Sequence, residues 1–528
     1  MSASVKRNTV SVTLDGVTYT VPCGACARAL LGEGQNADCG GHGRCGQCRV
    51  RVVDHATALA AGAIEPPTAD EQAQLSPGEL ARGVRLSCRL TLLGDVTLTS
   101  SRPATPPSVC AAGEPPALPT SWEMSPAFAR CGVAVDLGTT TLVARLYDGE
   151  GTVLATETGI NPQTAWGADV ISRMEAAVGG GTHALATAVR RALGSMMERL
   201  ARGARVRLQD VGEVVITGNT AMLCLLTETD VSPMTHAPFA CPRRFGETLT
   251  ARDLGLHGLP PDTPVYLPPV VSAFLGADTV CAMLAADLHR RAGTTLLVDL
   301  GTNGEMVLAH GGRLLAASTA AGPAFEGVGV SAGEISRAGA IDRVWVETTA
   351  AGDHRLCVHT VGDKPTTGLC GSGLIDALAA LLAVGDMDAT GLLTHDPTPI
   401  APGVALTQAD VRLLQVAKSA IHAGILTLLD AAGLPVDASA DSPITLLLAG
   451  GFGQALDPVS AGCIGLIPLM PALGARGIGN AALEGAALSL LYPAARREAA
   501  AMAAATAVVD LATSPRFANE FSRRMAFD

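Results

Sequence analysis

The pentapeptide VDLGT occurs at Val135–Thr139 and again at Val298–Thr302, each time behind an apolar run. Aligned on it, GVAVDLGTTTLVARLYDGEGTVLA from residue 132 and TLLVDLGTNGEMVLAHGGRLLA from residue 295 show the same order: strand, turn, strand, glycine turn, strand. Two such copies predict a duplicated lobe. An Asp at the end of a buried strand, followed by Leu-Gly-Thr, sets a carboxylate beside a tight turn. The amides and hydroxyls of that turn face one way, so they can hold phosphate oxygens, while Asp136 and Asp299 can hold Mg²⁺ through water. One turn is weak evidence, but two on facing lobes can clamp a triphosphate. A third element, ITLLLAGGFG at Ile444–Gly453, is a buried strand ending in glycines that let backbone approach a flat ligand such as adenosine.

The trio DLGTTT, DLGTN and LAGGFG resembles the nucleotide-binding elements of the acetate kinase, sugar kinase, Hsp70 and actin (ASKHA) superfamily. The resemblance implies a duplicated, ribonuclease-H-like two-lobed domain that binds ATP with Mg²⁺. It implies a first phosphate loop of Asp136, Gly138, Thr139, Thr140 and Thr141, and a second of Asp299, Gly301, Thr302 and Asn303. Gly450, Gly451 and Gly453 would form the adenosine loop. ITGNTAML at Ile216, STAAGPAFEG at Ser318 and TGLCGSGLID at Thr367 place glycines and small polar residues near element ends, either as cleft lining or as plain turns and helix starts. Glu305 and Glu326 read as exposed carboxylates by default, with metal or water contact as the alternative.

Around these motifs, short apolar strands alternate with Ala- and Leu-rich stretches such as AAVGGGTHALATAVRRALGSMMERLARGARV and AALEGAALSLLYPAARREAAAMAAATAVV, which predicts an α/β architecture with helices covering sheet. At 528 residues the chain is long enough for about three domains of roughly 150 residues. With 48% hydrophobic and 16% charged residues it can bury a large core. A formal charge of −12 without a basic cluster argues against nucleic acid. The N-terminal MSASVKRNTVSVTLDG lacks a signal-like apolar core and no uninterrupted apolar run approaches ~18 residues, so a cytoplasmic protein without membrane contact is expected.

Ahead of the duplicated part, TVSVTLDGVTYTV alternates around Asp15-Gly16 and predicts a hairpin. Arg49–Val53 and Val84–Ser100 predict further strands. Between them, CGGHGRCGQC spaces Cys39, Cys45 and Cys48 by five and two residues, with a fourth cysteine at Cys88. Gly40, Gly41, Gly43 and Gly46 would let this backbone wrap a cluster of iron and sulfide. A zinc site built from Cys23, Cys26, Cys45 and Cys48 is the competing reading, but it leaves Cys39 and Cys88 idle and gives the glycines no task. Cys23 and Cys26 are otherwise expected as small packing residues, with a redox-active pair as the alternative. The four cysteines Cys39, Cys45, Cys48 and Cys88 resemble the ligands of two-iron two-sulfur ferredoxins of the adrenodoxin-like branch, implying a β-grasp module. His42 lies in the loop, where a Rieske site would need two histidines. Seven prolines in residues 101–130 predict a semi-extended linker. The expected domains are therefore a ferredoxin-like 1–100, a linker 101–130 and an ATP-binding 131–528.

Taken whole, the chain resembles the ATP-dependent reductive activators of corrinoid proteins. The resemblance implies electron transfer from the iron-sulfur cluster to Co(II) of a corrinoid (cobalamin) methyltransferase protein, or of a cobalamin-dependent methionine synthase, regenerating Co(I). It implies ATPase activity, an external electron donor such as a ferredoxin or flavoprotein reductase, and a homodimer. ATP has a physical task here. A ferredoxin-type cluster lies near −400 mV, and a cobalt couple ~150 mV lower sets an uphill step of about 3.5 kcal/mol. Two other readings fit the same motifs: a small-molecule kinase, or an Hsp70- or actin-like partner-binding module, each with the ferredoxin domain as a redox sensor.

Overall fold

The computed structural model describes residues 9–14, 16–30, 43, 48–75, 77–100, 119, 121–348, 354–435, 443–450, 455–468 and 473–527. Cys39, His42, Cys45, Gly451, Gly453 and most of the expected 101–130 linker lie outside the described residues. The chain divides into two compact units: Met1–Thr105 with Ile160–Ala176, and Pro106–Gly159 with Ala177–Asp528.

In the first unit, β1 (Thr9–Leu14) and β2 (Val17–Pro22) form the expected hairpin, with Leu14 paired to Val17 and Gly16 at φ 85°. Together with β3 (Arg49–Val52), β4 (Val84–Leu86) and β5 (Val96–Ser100) they make one sheet in the order β2-β1-β5-β3-β4. β1 runs parallel to β5, the pairing a β-grasp requires. Val10, Val12 and Leu14 alternate with outward polar residues and meet Val50, Val52, Leu92 and Leu98 in one core.

The second unit holds two six-stranded sheets. The first contains β6 (Cys131–Leu137), β7 (Thr141–Asp148), β8 (Val153–Ile160), β9 (Val211–Gly218), β10 (Glu247–Thr250) and β11 (Pro264–Leu267), in the order β8-β7-β6-β9-β11-β10. The second contains β12 (Thr294–Leu300), β13 (Gly304–His310), β14 (Arg313–Thr319), β15 (Ile444–Ala449), β16 (Leu473–Gly479) and β17 (Thr506–Val508), in the order β16-β15-β12-β13-β14-β17. β6 pairs antiparallel with β7 and parallel with β9. β12 likewise pairs antiparallel with β13 and parallel with β15. The duplication read from VDLGT is thus a duplicated sheet.

The four inner strands of the second sheet, β12, β13, β14 and β15, are buried on both faces, which explains their apolar runs. Leu296, Val298 and Leu300 of β12 feed one core and Leu297 another. The first core is closed by α4 (Gly371–Val384) and α5 (Gln408–Ala431), which follow α1 (Thr182–Ala204), α2 (Thr220–Leu226) and α3 (Ala277–Ala285) in the chain. α5 alone among the described helices is long and apolar enough to cross a membrane, and 83% of that stretch is buried in the protein. The second core lies between the sheets. There α3 and α6 (Ala481–Leu491) pack on Ala134 and Val143 from one sheet and on Leu297, Val307 and Leu447 from the other. A Cβ at Gly485 of α6 would stand 2.0 Å from the Cys281 carbonyl oxygen of α3, so these helices touch backbone to backbone.

At the chain's end the Ala- and Leu-rich stretch from Ala481 divides into three elements: α6 stops at Leu491, α7 (Pro493–Ala505) restarts at a proline, and β17 adds an edge strand parallel to β14. Pro493 lacks the N–H that would continue α6, while it suits the first turn of a new helix.

Candidate functional site

The two Asp-Leu-Gly-Thr turns open into one cleft of about 280 Å³. It gathers Asp136, Gly138, Thr139, Thr140 and Thr141 from the first turn, and Asp299, Gly301, Thr302 and Asn303 from the second, with Gly450 beside them. Seven acidic residues line the cleft, namely Asp136, Asp278, Asp299, Glu305, Glu326, Glu334 and Asp342. No Lys or Arg is among its described lining residues.

Local sequence explains how these groups are held. A Cβ on Gly138 would lie 2.5 Å from the Thr141 carbonyl oxygen, so the first turn closes only around glycine. Gly450 has φ 96°, and a Cβ there would lie 2.8 Å from Asp299 Oδ1, so this glycine makes room for the carboxylate itself. At Gly301 the corresponding position faces Glu326 Oε1 at 3.6 Å, an ordinary contact distance. Asn219 caps α2 by accepting from Met222 N at 2.9 Å, and its amide donates to Thr139 Oγ1 at 2.9 Å. Asn480 does the same at the start of α6, accepting from Leu483 N and donating to Asp136 Oδ2, each at 2.9 Å. The start of α3 contributes Asp278, whose carboxylate accepts from Thr279 N at 2.7 Å. The N-termini of α3 and α6 therefore both open on the cleft, where their dipoles favour negative charge.

The carboxyls are strongly perturbed. Burial pushes Asp136 up to about 7; the Asn480 amide opposes this and Asp278 adds to it. Asp299 is also pushed up to about 7, by burial and then by the charges of Asp278, Asp136 and Glu326. Burial carries Asp278 to about 6 against the hydrogen bonds from Thr279. Glu305, paired across the strands with Asp299, is held well above the usual range by burial and by Asp278 and Asp299. A divalent cation would relieve all four. Among the described residues no group of three or more His, Cys, Asp or Glu converges on one metal position. The carboxyls fit Mg²⁺ held through water, not a prebuilt protein cage.

Glu305 and Glu326 are thus not exposed carboxylates. Glu326 accepts from Thr140 Oγ1 at 2.6 Å and from Thr302 Oγ1 at 2.7 Å, one donor from each turn. The glycine-rich stretches at Ile216, Ser318 and Thr367 serve both as element ends and as lining, through Asn219, Phe325 and Cys370–Ser372. Asp278 and Asn480 escaped the sequence reading. Their signal was a polar residue at the start of an apolar helix, Asn480 as the cap in GNAALEG and Asp278 within the first turn in GADTV.

In the first unit, the start of β3 and the end of β4 bring Cys48 and Cys88 together, both buried, with Sγ atoms 3.2 Å apart. The Cys48 thiol is lowered to about 6 by its hydrogen bond with Cys88, against the effect of burial. Next to them lies a fully buried ion pair. Arg85 Nε and Nη2 donate to Glu71 Oε1 and Oε2 at 2.8 and 2.9 Å, and Leu86 N donates to Glu71 Oε1 at 3.0 Å. The pair fastens the helix Ala69–Gln74 to the strand leading into Cys88. Gly43, at φ 73°, would place a Cβ 2.6 Å from Arg89 Nε, so this point of the cysteine loop favours glycine. Cys23 and Cys26 do not pack in the core. Both are exposed, with Cys26 Sγ donating to the Ser87 carbonyl at 3.2 Å.

Comparison with known proteins places this geometry. The sequence profile of the RACo middle region matches residues 131–291, and that of the C-terminal domain of RACo, the ASKHA domain, matches residues 293–528. The corrinoid activation enzyme RamQ of Eubacterium limosum is 30% identical over 427 residues, which are 75% of this chain and 70% of RamQ. The chain belongs to the RACo family. The [Co(II) methylated amine-specific corrinoid protein] reductase of Methanosarcina barkeri is 26% identical over 330 residues, 57% of this chain and 60% of its own length. The solved structure of a reductive activator for corrinoid, iron-sulfur protein covers 98% of both chains with a TM-score of 0.70 and 26% identity. The boundary between the two RACo regions falls just ahead of β12, so each region contributes one Asp-Leu-Gly-Thr turn to the shared cleft.

Proposed function

We propose that this protein reactivates a corrinoid protein by passing it an electron from a two-iron two-sulfur cluster under the control of ATP. The carrying observation is the meeting of both Asp-Leu-Gly-Thr turns in one acidic cleft, in a chain of the RACo family that also brings Cys48 and Cys88 into contact. In this reading residues 1–100 are the electron-carrying module, 101–130 the linker and 131–528 the ATP domain.

The turn hydroxyls and amides of Gly138–Thr141 and Gly301–Asn303 would bind the phosphates, and Gly450 with Gly451 and Gly453 would border the adenosine. Asp136 and Asp299 would hold Mg²⁺ through water, with Asp278 and Glu305 adding charge. With seven acids and no described base in the cleft, the cation is what admits a polyphosphate at all. Cys39, Cys45, Cys48 and Cys88 would hold the cluster. A tetrahedral metal with ~2.3 Å bonds to sulfur separates its ligands by roughly 3.8 Å, so the 3.2 Å pair fits one iron after a small parting. When bound, the cluster supplies single electrons at low potential. The chain's part is to bury two of its ligands and to couple lobe closure to the docked partner. The partner is a corrinoid methyltransferase protein or a cobalamin-dependent methionine synthase, and the donor a ferredoxin or flavoprotein reductase.

The test is a visible spectrum of the anaerobically reduced protein mixed with a corrinoid protein, with and without MgATP. Appearance of the Co(I) spectrum only with MgATP is expected. Phosphate transfer to a metabolite, with no change in the corrinoid spectrum, would refute the proposal.

A further inference from the structure

We propose that Glu326 is an internal competitor for the nucleotide's terminal phosphate, and that its displacement from Thr140 and Thr302 makes the cleft select a triphosphate over a diphosphate. The inference rests on reading the cleft as an MgATP site. Glu326 takes one hydrogen bond from each turn, 2.6 Å from Thr140 Oγ1 and 2.7 Å from Thr302 Oγ1, through different carboxylate oxygens. Each hydroxyl has one proton to donate, so a phosphate oxygen and Glu326 cannot both receive it. A carboxylate and a phosphoryl group are acceptors of the same anionic kind. The chain itself thus supplies an acceptor that bridges both turns.

Glu326 is presented on a stiff mount. It ends the short turn Pro323–Glu326, which starts on a proline and is flanked by Gly322 and Gly327 at φ 77° and 80°. A Cβ at Gly327 would lie 2.5 Å from Glu334 N, which fixes the far side of the turn against its neighbour. A ligand that engages one turn frees one hydrogen bond, while the carboxylate stays on the other turn with its charge beside the ligand's own. A ligand whose phosphates reach both turns frees Glu326 altogether. That difference in cost is a selectivity for the longer polyphosphate.

The experiment titrates the full-length protein calorimetrically with MgADP and with the non-hydrolysable Mg-AMP-PNP. Glu326→Ala is expected to bind MgADP about tenfold tighter than the wild type, with a smaller gain for Mg-AMP-PNP, so that the ratio of the two affinities falls toward one. Glu326→Gln keeps the shape without the charge, and is expected to fall between the two proteins. It carries the comparison if circular dichroism shows that the alanine variant has not folded. Without ligand, the amides of residues 138–141 and 301–303 should exchange hydrogen faster in the variants. MgADP affinity that is unchanged or weakened in both variants overturns the inference, since a carboxylate that helps hold the metal would weaken binding when removed. Wild-type protein that binds neither nucleotide, with variants that also bind none, overturns the reading of the cleft instead.

Discussion

Replacing Asp299 by Asn should make the ligand-free protein more stable near pH 8 while abolishing its response to MgATP. The folded carboxyl titrates near 7, against roughly 3.9 for an unperturbed Asp. Between those values the folded state keeps a proton that the unfolded state has released, so stability falls as pH rises across the window. At about 1.36 kcal/mol per unit, the full shift corresponds to about 4 kcal/mol above pH 7. Asp136, Asp278 and Glu305 repel the same charge, and protons redistribute among them when one carboxyl is removed. We therefore expect Asp299→Asn to recover about 1–3 kcal/mol. Among the described residues no hydrogen bond to the Asp299 side chain is found, so the amide forfeits none there. The assay is urea unfolding in EDTA at about pH 5 and about pH 8. A gain at the higher pH and about a third of that gain at the lower is expected. Adding MgATP reverses the order, because a ligand at a hundred times its Kd stabilises the wild type by about 2.7 kcal/mol. A variant less stable than the wild type at pH 8, or equally stabilised at both pH values, refutes this electrostatic account.

Other substitutions probe other links. Cys88→Ser should abolish the reductive step and the visible absorbance of a cluster while leaving nucleotide binding intact, as spectroscopy and calorimetry on one sample would show. Asn480→Ala removes both a helix cap and the amide facing Asp136, and should cost about 2 kcal/mol in urea unfolding. Asn480→Asp keeps the cap but sets a second carboxylate against Asp136 Oδ2, so the pH at which Mg-nucleotide binding reaches half its maximum should move upward. Gly485→Ala drives a methyl group into the Cys281 carbonyl, 2.0 Å away. It should destabilise by about 1–3 kcal/mol or more, and a loss below 0.5 kcal/mol on thermal or urea unfolding would contradict the close crossing of α3 and α6.

The duplicated lobe was legible because VDLGT combines a repeated pattern with glycines that steric limits fix in place: Gly138 closes on the Thr141 carbonyl and Gly450 on Asp299. The hairpin was legible for the same reason, as Gly16 adopts the positive φ that its turn demands. What stayed hidden depends on long-range meeting. Nothing local to GPAFEG says that Glu326 will receive Thr140 from 186 residues away. A cap such as Asn480, or an acid in a first turn such as Asp278, announces where a helix starts but not where that start points, so neither stands out in the sequence. Arg85 and Glu71 likewise look solvated in sequence and are buried only because each neutralises the other. Cys23 and Cys26 failed in the opposite sense: cysteine is usually a packing residue, but here Cys23, in a turn, and Cys26, paired across from Thr91, both stay at the surface.

The lack of any described base in the cleft has a consequence for what the protein can sense. Most polyphosphate sites spend a lysine or arginine on their ligand and so retain some grip on the metal-free anion. Here seven carboxylates face the incoming phosphates, and free ATP and free Mg²⁺ should each be poor ligands alone. We expect occupancy to follow the concentration of the assembled salt, so the cleft behaves as a conjunction of two signals. Chelating the magnesium would disarm it as completely as exhausting the ATP.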